Sequence, residues 1–499
     1  MKKTLKKAIA LTLGMATIST AMLSTACGIS KKADVEGKLV VGLLSAGYGE
    51  KFMTELLTEY QKLNPKVEFY VDSAEDKQSK FEGELKAGPK GNATDIYFIQ
   101  DINFNKIVDD GKVTYQGVQY DCLLEDLTET YTSAIGYNNE TQSIKDKMLP
   151  VFEEYFSKDM GGTEKYYSFP WASAPCGIMY NTDMFTQHGW TIPETTDDLI
   201  ALVKRIYNEC VQGVQDEEKI YPLVWAGGDA TTYWQFLEMV WQAQYDGIEG
   251  WKQFWSLKDD FGNYSADAFG SDSRLHMLEV MDELLTPEYC VPNSDTLNHS
   301  AAQINFLDGR AAMMVNGSWL LREMEKNYPD SNLKIAVMKT PVLSAAKEKW
   351  ENVSAEKYQE IANLQFTLGT NLNAAIPAYA DQKEVAKDFL KFMASDTGIA
   401  IYMKHAKSTL PFKTSIADQG TALYNELPYF VQSLVNLEKQ VNYVVDERLV
   451  SPVYYKTGLY FFPGQVNPEP FLFNGTKTAD TLRTEQWTAA KSTVNTYRG

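Results

Sequence analysis

KLVVGLLSAGYGEKFMTELLTEYQKLNPKVEFYV, residues 38–71, changes its hydrophobic period twice. Residues 38–44 form a short apolar, β-rich run. Residues 50–63 then carry apolar side chains at helical spacing, with Phe52, Leu56, Leu57 and Tyr60 on one face. Asn64-Pro65 ends that helix, because proline cannot continue the hydrogen-bond ladder, and 67–71 reads as a second strand. Strand, helix, strand with short links is the βαβ unit of a parallel sheet.

Working outward, the same grammar recurs: a helical segment over 81–86, a buried strand over 95–99, and helical spacing from Ile102 to Val108 that ends at Gly111. Residues 167–181 run extended through Pro170 and Pro175. Helical patterns then dominate at 196–210, 233–245 and 274–285. Beyond residue 424 there is helical spacing around 434–437. A Tyr-, Phe- and Pro-rich stretch, 454–473, follows and is expected over the surface or at the mouth of a cleft. No internal repeat or low-complexity tract interrupts the pattern.

The first 26 residues have a different character. Lys2, Lys3, Lys6 and Lys7 precede an apolar run from Ala8 to Leu23, shorter than the roughly 20 residues of a membrane span. This is the pattern of a secretory signal. Ser24, Thr25 and Ala26 lead into Cys27 in a way that resembles a bacterial lipobox, although leucine stands four rather than three positions before the cysteine. The resemblance implies cleavage before Cys27, a lipid on Cys27 and a tether over 27–37; the competing reading is an ordinary cleaved signal. Loss of the four lysines makes the chain still more acidic than its net charge of −19, which disfavours nucleic acid and anionic lipid as partners. Cys122, Cys176, Cys210 and Cys290 lack CxxC spacing and form no zinc or redox signature.

Four blocks resemble the extracellular solute-binding proteins of bacterial sugar importers, the maltose-binding-protein-like family. They are residues 38–71, YSFPWASAPCGIMYNTDMF (167–185) with PETTDDLIALVKRI (193–206), INFLDGRAAMMVNGSWLLREM (304–324), and KEVAKDFLKFMASDTGIAIYMKHAKSTLPFK (383–413). The resemblance implies an α/β, two-lobed periplasmic-binding-protein-like fold (type II) with three hinge crossings and a cleft between the lobes. The crossings fall near 172–176, 339–343 and 408–412, where Pro175, Pro341 and Pro411 sit among small residues. This places 38–173 with 342–409 in an N-terminal lobe and 174–341 with 410–499 in a C-terminal lobe. It further implies an open ligand-free state, closure by hinge motion, a carbohydrate ligand, and permease subunits of an ABC transporter as partners; the length of the chain points to an oligosaccharide with several subsites. A monomer without cofactor is expected, lipid-anchored on the outer face of the cytoplasmic membrane.

A sugar ring has apolar C–H faces and a rim of hydroxyls, so its site needs aromatic platforms together with acceptors and bidentate donors. With 10 Trp and 29 Tyr the chain is well supplied. Trp319, in a turn built by Asn316, Gly317 and Ser318, is the foremost candidate, against packing of the following helix. Trp171 beside the first crossing is second, against hinge packing. Ser45, Tyr48, Gln100 and Asp101 occupy first-lobe positions where the family meets ligand, although Asp101 also suits a helix cap. Trp225, Asp229, Tyr233 and Trp234 cluster at a Gly227-Gly228 turn, where core packing explains Trp234 equally well.

No GxSxG elbow, P-loop or HExxH is present, and His188, His276, His299 and His405 are dispersed, so an enzyme would have to rest on a carboxylate pair as in a glycoside hydrolase. The run Asp259, Asp260, Asn263, Asp267, Asp272 lacks EF-hand spacing and reads as a solvated loop. A peptide, polyamine or ion ligand, or a membrane sensor in place of a transporter, are the other readings within the same fold.

Overall fold

The structure is a computed structural model and describes residues 35–103, 113–115, 117–120, 122–259, 262–325, 328, 334–448, 451–465 and 467–498. The signal, Cys27, most of the tether, and most of the helical segment expected from Ile102 lie outside the described residues.

Two sheets carry the fold. The first runs in the order β2 (Val67–Ala74), β1 (Gly37–Leu44), β3 (Ile96–Ile99), β14 (Asn373–Ala375), β8 (Phe169–Pro170). β1 pairs in parallel with β2 from Gly37 against Val67 to Leu44 against Ala74, and with β3 on its other edge, as the βαβ reading requires. The connecting helix, Lys51–Leu63, buries Phe52, Met53, Leu56, Leu57 and Tyr60, and packs on the late helix Asp396–Ala406.

The second sheet runs β10 (Tyr221–Val224), β11 (Ala311–Gly317), β9 (Pro175–Asn181), β13 (Leu364–Thr367), β15 (Asn442–Val444), with β12 (Ile335–Val337) also on β9. Small hairpins β4 (Val113–Tyr115) with β5 (Val118–Tyr120), and β6 (Ser157–Asp159) with β7 (Glu164–Tyr166), decorate the first half. The helix Thr196–Cys210 matches its expected span and starts in a capping box: the Thr195 hydroxyl accepts from the Asp198 amide at 3.2 Å, and the Asp198 carboxylate accepts from the Thr195 amide at 3.0 Å.

The chain passes from β8 to β9 through 171–174, where the first crossing is expected. The expected second crossing at 339–343 is not one. β12 before it and β13 after it both pair with β9, so residues 342–367 stay with the second sheet and the chain returns through 368–372 to β14. The third passage follows Asp396–Ala406: the Ser173 amide donates to Thr409 O at 2.8 Å, and the chain continues to β15. The final helix, Ala479–Arg498, packs on the helix Asp272–Leu284 beside the second sheet.

Candidate ligand-binding cleft

Among the described residues, two of the cavities between the elements of the two sheets take in residues expected at the site. The first chamber, about 610 Å³, has Gln100 and Asp101 at the end of β3 as one wall and Thr232, Tyr233 and Phe236, at the start of the helix Gln235–Ser256, as the other. Asn371 of the 368–372 crossing contributes its base, and the C-terminal chain closes it with Asp446, Arg448, Tyr460 and Glu469. The second chamber, about 650 Å³, lies between the loop after β1, with Ser45 and Gly47, and His299, Gln303, Arg322 and Glu323.

The first chamber is polar along one side and aromatic along the other. Gln78 braces the end of β3: its Oε1 accepts from the Gln100 amide and its Nε2 donates to Asp101 O, each at 2.8 Å. Arg448 donates from Nε to Asp446 Oδ2 at 2.6 Å, and its guanidinium lies 5.8 Å from the centre of the Tyr460 ring. Burial raises the Asp101 carboxyl above the usual carboxylate range, an effect the Arg448 charge opposes. Burial also pushes Glu469 up to about 7 while the Thr232 hydroxyl, which donates to it, works the other way. Tyr460 is 52% exposed, a large aromatic face beside acceptors and one fork-shaped donor. That combination suits a ligand with an apolar face and many hydroxyls.

On the far side of the second chamber the lobes touch. The Tyr48 hydroxyl is 3.0 Å from Ser318 Oγ, Ser408 donates to the same oxygen at 2.8 Å, and Arg322 Nε donates to Tyr48 O at 3.1 Å. Lys407 pairs with Glu325 at 2.9 Å.

Of the residues expected at the site, Gln100, Asp101 and Tyr233 line the first chamber and Ser45 and Tyr233 the second. Asp229 sits behind the wall, where its carboxylate accepts from the His299 amide at 2.6 Å and pairs with His299 Nδ1 at 2.8 Å. Tyr48 and Ser318 make the interlobe contact described above. Asn316 is buried and accepts from the Gly317 amide at 2.7 Å.

The tryptophan expectations need correction. Trp319 is 6% exposed; its ring folds back over Gly317, so close that a Cβ there would lie 2.2 Å from it, and its neighbours are Tyr233 and Phe236. It backs the cleft wall rather than lining it. Trp171 is wholly buried, stacks on Phe52 at 5.9 Å and spends its indole N–H on Ile99 O at 2.9 Å, which makes it core of the first lobe. Trp225 packs edge-on against Phe473, and Trp234 is buried at the start of its helix. Large apolar area drives these rings inward wherever a helix or sheet can cover them.

Asp446, Arg448, Tyr460 and Glu469 were not among the sequence candidates. Tyr460 and Glu469 fall in the Tyr-, Phe- and Pro-rich stretch, whereas Asp446 and Arg448 precede it and carry no sequence signal of their own. Among the described residues no group of three or more His, Cys, Asp or Glu side chains is arranged to hold a metal ion, and no helix is long and apolar enough to cross a membrane.

The sequence pattern of the bacterial extracellular solute-binding proteins matches residues 46–400. The maltotriose-binding protein of Pyrococcus abyssi (strain GE5 / Orsay) is 22% identical over 351 residues, 69% of this chain and 61% of that protein, so the match spans less than two thirds of that curated relative's length. In fold, the chain is similar to apo RafE of Streptococcus pneumoniae, with TM-score 0.63 and 16% identity over 93% of this chain and 100% of the other. It is likewise similar to the GacH receptor of Streptomyces glaucescens, solved unliganded and with acarbose, with TM-score 0.59 and 15% identity over 92% and 99%. At these identities the likeness shows the shared two-lobed fold.

Proposed function

Because this chain belongs to the bacterial extracellular solute-binding proteins, we propose that it is the extracytoplasmic receptor of an ABC-type importer, that it captures an oligosaccharide between its lobes, and that a lipid on Cys27 anchors it. The observation that carries this reading is the first chamber itself. It sits between the two sheets where strand ends and a helix start converge, as ligand sites of open α/β folds do. Its lining pairs aromatic faces with carboxylates, an amide and a guanidinium, the set a polyhydroxylated ring requires. The relatives support it: the curated one is a maltotriose-binding protein, and solved neighbours hold raffinose or acarbose. The family and these neighbours are binding proteins rather than enzymes.

Binding would draw the lobes together around the ligand and present the closed form to the permease, whose ATPase supplies the energy. The test is isothermal titration of the purified protein with a panel of mono- and oligosaccharides. Saturable binding that Tyr460→Ala and Asp101→Ala each weaken at least tenfold supports the reading. A flat response to every sugar, with heat released by a peptide or polyamine instead, overturns the carbohydrate assignment. Mass spectrometry of the protein from membranes tests the anchor: an unmodified Cys27 rules it out.

A further inference from the structure

Among the described residues lining either chamber, Tyr233 alone lines both. Its ring is held on three sides. His299 stacks on it at 4.3 Å with the planes 21° apart, Phe236 stacks at 5.1 Å and 17°, and Trp319 meets it edge-on at 5.7 Å. His299 is itself fixed, by Asp229 on Nδ1 at 2.8 Å and by Thr231 O, 2.8 Å from Nε2. The partition is therefore braced by the loop that carries it.

The backbone adds a second, independent observation. Tyr233 has φ +72°, a left-handed conformation that suits glycine or asparagine and is strained for a bulky side chain. A strained residue in a cleft wall points to a role for its side chain.

Resting on the saccharide reading, we infer that Tyr233 is a length gauge: its ring ends the first chamber, and the second chamber is a further subsite that a longer saccharide occupies only when the ring is removed. Each chamber alone has the volume of an ordinary small-molecule site, about 300–1,000 Å³, and the two joined exceed it. The second chamber has suitable chemistry for more sugar hydroxyls: Ser45, Gln303, Arg322 and Glu323, with Gln303 Nε2 donating to the Glu323 carboxylate at 2.8 Å. Trp319, behind the ring, would then become the exposed platform between the two.

The experiment measures the affinity of the detergent-solubilised full chain for a linear malto-oligosaccharide series of one to seven units and for raffinose, in the wild type and in Tyr233→Gly, Tyr233→Asn and Tyr233→Phe. Wild type and Tyr233→Phe should share one length optimum. Tyr233→Gly and Tyr233→Asn, both compatible with a positive φ, should move it to longer members, with at least a tenfold gain for saccharides two or more units beyond the wild-type optimum. Thermal melts show that the variants fold; should Tyr233→Gly not fold, Tyr233→Asn carries the same expectation. Saccharide binding with a length profile that neither small variant changes overturns the gauge. Absence of saccharide binding by the wild type overturns the proposed function instead.

Discussion

The Tyr48 hydroxyl, on the loop after β1, meets Ser318 Oγ, just after β11, at 3.0 Å in a buried contact that joins the two lobes. Burial pushes the Tyr48 phenol up, so it remains a neutral partner throughout the physiological range. Ser318 keeps Ser408 as a donor when the phenol is gone. A buried neutral hydrogen bond contributes about 0.5–1.5 kcal/mol. Tyr48→Phe is therefore expected to weaken ligand affinity about two- to tenfold through the closed form, and calorimetry of the variant beside its melting curve checks this: lost affinity without a large fall in Tm.

Trp171 tests the difference between core and cleft. Trp171→Phe leaves the Ile99 carbonyl without its donor and opens space beside Phe52 and Phe98. A cost of about 2–3 kcal/mol in urea unfolding is expected, with ligand affinity of the folded protein within twofold of wild type. A selective loss of binding at unchanged stability would show that the ring does reach the ligand.

Two buried carboxyls make stability depend on pH. Burial pushes Glu438, which accepts from Thr409 at 2.6 Å beside the third crossing, and Glu469, in the first chamber, each up to about 7 from an ordinary 4.5. The folded state thus holds these protons more tightly than the unfolded chain. Their contribution is full below pH 4.5 and is lost as pH rises toward and through 7. Tm should fall between pH 5.5 and 7.5, and Glu438→Gln and Glu469→Gln should each flatten that decline; equal slopes in variants and wild type would refute the assignment.

Arg274 holds the C-terminal chain in place. It is fully buried, donates from Nη2 to Phe461 O at 3.1 Å and to Gln486 Oε1 at 2.7 Å, and lies 4.5 Å from the centre of the Phe461 ring. Burial lowers its pKa to about 10, an effect the Glu238 charge opposes. Arg274→Ala should cost about 2–5 kcal/mol, through the cavity left and the acceptors stripped of their donor, and speed amide exchange around Tyr460 and Phe461 more than in β1. Uniform exchange across the chain would argue against a local anchor.

The βαβ opening was legible because its signals are local. Period-2 and period-3.6 runs, the Asn64-Pro65 stop and the Thr195 cap each lie within a few residues of the structure they specify. The second crossing was misread because β12, β13 and β14 are three or four residues long. At that length a strand's identity comes from the strand it pairs with, and β9, the partner of both β12 and β13, lies more than 150 positions earlier.

The site divides the same way. Gln100, Asp101 and Ser45 were expected because they follow strands, where open α/β sheets place their ligands, and they do line the two chambers. Arg448 and Tyr460 were not expected, because nothing near either of them in sequence says that it comes to lie beside β3 and the helix Gln235–Ser256. By itself the sequence determined the alternation of elements, the α/β class and the aromatic supply. Only the tertiary structure decided which rings face the cleft, since Trp171, Trp225, Trp234 and Trp319 share with Tyr460 the same apolar drive to be covered. Long-range packing left enough neighbours for the first four and too few for the last.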